Sequence, residues 1–239
     1  MKRLLEIPHR MDDHACMWSG VEDLTGKQEQ TDKASGIFFA GAGRNESGLC
    51  SAQRVRREKM LRLQTKRLFL RELTPDDFDA LYKVLADSDI MRHYPYTFDK
   101  SRVRGWIAKN MERYRIFGFG LWAVCLRDSG EMIGDCGLTM QNVNGAILPE
   151  IGYHIAKAHQ RRGYAKEAAQ AVRDWTFQNT PFQMVYSCMK RDNLASAATA
   201  RANGMTLADE FTDSEGEQTL TYGICRIAWE LRQKGEIEP

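Results

Sequence analysis

The sequence predicts a mixed α/β domain, a mostly antiparallel sheet flanked by helices, and three stretches carry that expectation. Residues 121–126 and 132–140 are apolar, alternating runs around Asp128-Ser129-Gly130-Glu131, the pattern of a β-hairpin. Residues 150–171 read as a strand, a short basic loop and a helix. Residues 184–189, Met-Val-Tyr-Ser-Cys-Met, read as a buried strand leading into another helical stretch.

The elements follow in order. Residues 1 to about 60 are rich in Gly, Ser, Gln, Asp and Arg, and their one apolar cluster is Ile37-Phe38-Phe39-Ala40. Such a composition buries too little apolar surface to offset ordering, so a mostly disordered extension is expected over 1–60. Regular patterning begins abruptly after Met60, which follows Arg56-Arg57-Glu58-Lys59. Codons for those four residues can be purine-rich, like a bacterial ribosome-binding site, so translation is expected to start at Met60; a regulatory arm is the alternative. The folded domain is expected over 61–232 and a frayed, charged tail over 233–239.

Residues 67–73 alternate as a strand does. Thr74-Pro75-Asp76-Asp77 then offers a capping threonine, a proline at the first helical position and acids in the first turn. The helix that follows reaches about Asp87, with Phe78, Leu81, Tyr82 and Leu85 at core spacing. Residues 91–98, Met-Arg-His-Tyr-Pro-Tyr-Thr-Phe, are aromatic, polar and broken by proline, which makes them a loop. Loops on a rigid scaffold carry substrate contacts, so His93, Tyr94 and Tyr96 are candidates for that role.

A second helix is expected over 101–117, ending at Gly118. After the hairpin, Asn142, Asn144 and Gly145 mark the turn into the Glu150 strand, where Gly152 suggests a bulge or a close backbone approach. The helix opening at Gly163 reaches Asn179, before Pro181. A short helix follows the 184–189 strand. Residues 206–211 and 218–229 are expected as two final antiparallel strands joined at Ser214-Glu215-Gly216-Glu217, with fraying from Arg232 onward.

Charge and composition exclude several functions. The formal net charge is +2, which argues against a nucleic-acid binder relying on general phosphate attraction. No apolar run approaches the ~18 residues of a membrane span. The six cysteines lie far apart without a Cys-x-x-Cys pair, and the five histidines show no ligand spacing to them. Neither a zinc site nor a disulfide scaffold is indicated. A reduced cytoplasmic chain without metal, monomeric or homodimeric, is expected. Cys125 and Cys136 read as buried free thiols rather than nucleophiles, because no histidine is visibly paired with either.

The stretch around Gly163 suits an anion. A helix start presents unpaired N–H groups and the positive end of the dipole, and a glycine there lets a phosphate approach the backbone. Arg161 and Arg162 add two permanent positive charges, and no acid intervenes before Glu167.

Gln160-Arg161-Arg162-Gly163-Tyr164-Ala165 matches the pattern Gln/Arg-x-x-Gly-x-Gly/Ala, and here the chain resembles the GCN5-related N-acetyltransferases (GNAT), in which that loop holds the pyrophosphate of acetyl-CoA. Downstream, Asn193, Ser196 three residues on and Gly204 eleven on resemble the Asn-x-x-Ser...Gly-Phe segment of the RimJ/RimL-like ribosomal-protein-alanine acetyltransferase branch. The opening strand, Thr65 to Arg71, is similar to that branch's Thr-x-Arg-Leu-x-Leu-Arg. The likeness spans residues 63–229. Met205 replaces the customary phenylalanine, a conservative core change.

The resemblance implies a sheet whose one parallel pair, the Glu150 and Met184 strands, splays to admit acetyl-CoA as cosubstrate. It implies that Gln160 to Ala165 clamp the phosphates, that Ile155 and Ala156 offer strand-end groups to the pantetheine amides, and that Asn193 contacts the CoA. Many members carry a tyrosine seven residues after the asparagine as the acid for the leaving thiolate; here that position is Ala200. In the RimJ/RimL-like branch the serine three after the asparagine takes that role, so Ser196 is the candidate, with helix capping or CoA contact as its other readings.

Acyl transfer to an amine also needs a base. Glu150, beside the clamp, is the first candidate, against a plain solvated carboxylate; His93, His154 and Asp135 stand behind it. The implied reaction is acetyl transfer to a primary amine by direct attack in a ternary complex. The 92–98 loop is aromatic and basic, which favours a protein N-terminus or a small amine bearing an anionic group. An alternative of another class is a non-catalytic acyl-CoA sensor of the same fold. A nucleotide-phosphate enzyme is disfavoured, because no Gly-x-x-x-x-Gly-Lys-Ser/Thr loop is present.

Overall fold

The computed structural model describes residues 61–236; the expectations for 1–60 and for the last three residues fall outside them. Eight strands form one sheet: β1 (Leu61–Gln64), β2 (Leu68–Arg71), β3 (Leu121–Leu126), β4 (Met132–Val143), β5 (Ala146–Ile155), β6 (Met184–Lys190), β7 (Thr206–Thr212) and β8 (Gln218–Cys225). Five α-helices flank it: α1 (Phe78–Leu85), α2 (Lys100–Phe117), α3 (Tyr164–Asn179), α4 (Leu194–Ala202) and α5 (Arg226–Gln233). The strand order is β1-β2-β3-β4-β5-β6-β8-β7. Every neighbouring pair is antiparallel except β5 and β6, as expected for the mixed sheet.

The long β4/β5 hairpin sets the frame. Asn144 and Gly145 take φ 48° and 82°, the left-handed pair of a two-residue hairpin turn whose twist matches that of the strands. Pairing then runs unbroken from Val143 opposite Ala146 to Gly134 opposite Ile155, which fixes each β5 side chain to one face. Gly152 sits in regular register opposite Gly137, so the expected bulge is absent; a Cβ there would meet Leu121 at an ordinary 3.6 Å.

Helices cover both faces. Trp122 of β3 is fully buried and meets Trp175 of α3 edge-on at 5.0 Å, whereas Trp106 of α2 lies against His154 on the opposite side. Side chains such as Leu68, Leu70, Val124 and Ile133 are also fully buried. Each contributes about 1.5–3 kcal/mol relative to exposure. α2 starts at Asp99, whose carboxylate accepts the Arg102 N–H at 2.7 Å, and stops at Gly118 in the left-handed conformation, φ 75°.

One expectation is overturned at the C-terminal end. The strand predicted over 218–229 ends at Cys225, and Arg226–Gln233 is helical. Tertiary anchors decide it: Arg226 donates to the carbonyls of Thr180 and Phe182, Trp229 Nε1 donates to Asp174 at 2.7 Å, and Arg232 donates to the Gly204 carbonyl at 2.6 Å. Arg232 is thus tied down rather than frayed. Among the described residues no helix is long and apolar enough to cross a membrane.

Candidate active site

β5 and β6 touch at a single register pair, Glu150 opposite Tyr186, and diverge beyond it. Side chains close the apex of the gap. Ser187 Oγ donates to the Ile151 carbonyl at 2.8 Å, and the Cys188 N–H donates to Glu150 Oε1 at 3.2 Å, where a regular ladder would offer a backbone carbonyl. Above the apex the alternation of β5 turns the backbone groups of Tyr153 and Ile155 toward the gap.

Ala156 does not share that position. Its N–H donates to the Ile133 carbonyl at 2.8 Å and its own carbonyl accepts from His159, also at 2.8 Å. The backbone groups turned toward the gap are therefore those of Tyr153 and Ile155, and not those of Ala156. Gln160 Nε2 donates to the Ile155 carbonyl at 2.9 Å and so folds the following loop back onto the strand end.

That loop has the features of an anion clamp. Gln160, Arg161, Arg162 and Gly163 are all exposed. Gly163 caps α3 with φ 80° and no side-chain capping bond, so the N–H groups of the first turn keep their free ends. Arg161 takes φ 59°, a costly conformation for a residue with a Cβ, and such costs concentrate at ligand-binding loops.

Arg67, from the end of the β1–β2 connection, braces this loop and the helix start. It donates to the Arg162 carbonyl at 2.9 Å, pairs with Glu167 at 2.6 Å and covers the Tyr164 ring at 4.5 Å. Thr65 Oγ1 donates to Glu167 at 2.6 Å. Glu167, the first acid of the helix, is thereby neutralised locally, leaving Arg161 and Arg162 to set the charge at the mouth. The residues present fit a pyrophosphate. Arg67 stands in the Thr65–Arg71 motif, but only its place beside the helix start, about 100 residues away in the chain, gives it this role.

On the other side of the gap, α4 begins at Asn193, whose Oδ1 accepts the Ser196 N–H at 3.1 Å. The asparagine is the cap, and the Ser196 side chain is left to interact with the Tyr153 phenol. Tyr153 reaches across from β5 and donates to the Ser196 carbonyl at 3.0 Å. Ser196, Asn193 and the β5 edge thus meet around one opening.

Even-numbered β5 side chains point to the α2 face. There Glu150 is largely enclosed, and burial pushes its carboxyl up to about 7, against the Cys188 N–H bond and the charges of His154 and Arg113, which favour ionisation. His154 shares this face. Its Nδ1 lies 2.7 Å from Asp135 Oδ1 and its Nε2 lies 2.9 Å from the Tyr94 hydroxyl. Trp106 Nε1 donates to the second oxygen of Asp135 at 2.9 Å.

Tyr94 also lines a cavity of about 350 Å³, whose other walls include Arg92, His93, Lys190, Glu215 and Glu217. His93 Nδ1 lies 3.3 Å from Asp192, and burial holds its imidazole below the ordinary histidine range. Lys190 is held by Asp213, by Glu215 at 3.2 Å and by Glu217 at 2.9 Å. The cavity is therefore mixed in charge, with an acidic far wall that the 92–98 loop did not reveal. His93 and Tyr94 come together here. Tyr96 stands behind, edge-on to Tyr94 at 5.9 Å and covered by Arg102 at 4.0 Å. Cys125 and Cys136 are buried, and burial raises the Cys136 thiol well above its usual range.

The chain is similar to known proteins in sequence and fold. The chain is 33% identical over 145 residues to the uncharacterized protein YkkB of Bacillus subtilis (strain 168), covering 60% of this chain and 84% of that protein. The crystal structure of an acetyltransferase from Agrobacterium tumefaciens str. C58 superposes with a TM-score of 0.58 at 32% identity, covering 68% of this chain and 92% of that one. The fold is also that of RimL, the ribosomal L7/L12 alpha-N-protein acetyltransferase solved with coenzyme A, at a TM-score of 0.59 and 20% identity, covering 69% of this chain and 97% of RimL. The acetyltransferase (GNAT) domain model matches residues 67–206, more than half of the chain, and the protein belongs to that family of acetyltransferase enzymes.

Proposed function

We propose that the enzyme moves the acetyl group of acetyl-CoA to a primary amine by direct attack in a ternary complex. The single observation that carries this reading is the divergence of β5 from β6 at Glu150, with an uncapped helix start following β5 and, through Tyr94 bonded to His154, a mixed-charge cavity beside it. Phosphates sit at the Gly163 helix start, the pantetheine arm follows the Tyr153 and Ile155 edge past Asn193, and the thioester reaches the apex. Glu150, with a carboxyl titrating near 7, removes a proton from the incoming ammonium. The Ser196 hydroxyl faces the departing thiolate.

The acceptor is a protein N-terminus or a small amine bearing an anionic group. Arg92 at the cavity supports the anion, and the RimL neighbour's N-terminal protein substrate supports the first choice. Acetylation measured side by side on ribosomal-protein N-terminal peptides, amino acids, spermidine and an aminoglycoside tests this. Product on the first or second group is expected. Binding of CoA without turnover on any acceptor would instead make the chain a sensor. The catalytic unit is proposed to be residues 61–232, completed by α5.

A further inference from the structure

Glu150 is one proton acceptor, yet the reaction must remove two protons from the acceptor nitrogen. An alkylammonium loses the first before it attacks, and the nitrogen of the tetrahedral adduct, again positively charged, loses the second as the amide forms. The departing thiolate takes up one, so one proton is released in all. Two acceptors that face the same cleft serve this balance better than one that must discharge to solvent in mid-reaction.

The structure holds a second one. Asp135 is fully buried, and both its oxygens accept: one from Trp106 Nε1 at 2.9 Å, the other from His154 Nδ1 at 2.7 Å. A carboxylate that accepts twice in a dry site fixes the imidazole with its proton on Nδ1. Nε2 then presents a lone pair, and the Tyr94 hydroxyl, 2.9 Å away, donates to it. The Tyr94 oxygen keeps its own lone pairs, and Tyr94 lines the 350 Å³ cavity. Nothing in a packing role requires this order of donors and acceptors from α2 through β4 and β5 to a loop tip.

We propose that Tyr94, His154 and Asp135 form a proton relay that takes the second proton from the acceptor nitrogen, an inference that rests on the acetyl-transfer reading. The adduct's N–H bond breaks as its proton passes to the Tyr94 oxygen. At the same moment the Tyr94 proton passes to His154 Nε2, giving an imidazolium that Asp135 stabilises. Tyr94 touches the substrate and is the catalytic residue of the relay; His154, Asp135 and Trp106 are positioning residues that act through it. The charged and titratable groups facing the relay are Glu150 on β5, with Arg113 of α2 beyond it, Tyr114 on α2, Tyr96 on the loop and Cys136 on β4.

The test measures kcat/KM against pH for the full chain, with the best acceptor of the panel, in wild type, Tyr94→Phe and His154→Gln. With two proton acceptors the acid limb of the wild-type profile should approach a logarithmic slope of about two, and in both variants about one, with kcat down by about 10²-fold. A Tyr94→Phe variant with wild-type kcat and slope overturns the relay; so does a loss of rate with the slope unchanged, which is what disturbed packing alone would give. A second measurement needs no turnover. Imidazole ¹⁵N shifts of His154 in the wild-type protein should show the Nδ1–H tautomer, and an Nε2–H tautomer overturns the relay. If wild type acetylates nothing, the acetyl-transfer reading fails, and the tautomer still decides whether the wire exists.

Discussion

Replacing Glu150 by glutamine separates chemistry from architecture. Glutamine keeps an oxygen to accept the Cys188 N–H, which the native carboxylate accepts at 3.2 Å, so the β5/β6 apex is preserved. It removes the charge. The native carboxyl rises from 4.5 to about 7 on folding, chiefly through burial. That rise corresponds to about 3 kcal/mol of unfavourable ionisation in the folded state.

The sign follows from linkage. A group whose folded pKa is raised gives its full stability below the unfolded value of 4.5 and loses it as pH climbs through about 7. Urea unfolding of both proteins at pH 4 to 8.5 should therefore show Glu150→Gln gaining about 3 kcal/mol on wild type across that span. The same variant should lose about 10²–10⁴-fold in kcat/KM. Parallel stability profiles would refute the burial argument, and an unimpaired rate would remove Glu150 as base.

Three further substitutions probe the two rims of the gap. Asn193→Ala removes the α4 cap and should cost about 1 kcal/mol in urea unfolding, with weaker CoA binding as its second sign. Arg67→Ala frees the Arg162 carbonyl and unbalances Glu167; calorimetric CoA affinity should fall about tenfold, as for loss of one charge-assisted bond. Ser196→Ala leaves the cap intact and should lower kcat by up to about 10²-fold without changing the KM for acetyl-CoA. A wild-type kcat would leave the Ser196 hydroxyl without a chemical role.

Local chemistry made much of this legible. Asn144-Gly145, Asp99, Gly118 and Gly163 carry their turn and cap signals in single residues, so the hairpin, α2 and the start of α3 stand out in the sequence. Residues 226–233 carried no such signal. Their apolar alternation reads equally as a strand, and besides the Cys225 cap it is Asp174, Thr180 and Gly204, distant in sequence, that anchor the helix.

The site divides in the same way. The proposed phosphate half is a contiguous motif, whereas the proposed acceptor half is assembled from α2, β4, β5 and a loop. His154 shared the even parity of Glu150 along β5, a signal that was present. Its link to Asp135 was not, because that depends on cross-strand register, Asp135 opposite His154. Lys190, likewise, could not be seen to meet three acids of the β7–β8 turn.

The central claim is that the helix start at Gly163 receives the phosphates of CoA. Gly163 stands at φ 80°, and a Cβ there would lie 3.4 Å from the Arg67 guanidinium. Titration calorimetry of CoA into wild type, Gly163→Ala and Gly163→Glu tests the claim directly, with alanine reporting the backbone strain alone. Binding by wild type, weakened binding by the alanine variant and none by the glutamate variant, all three folded, is the predicted result; a glutamate variant that binds CoA as wild type does would contradict it.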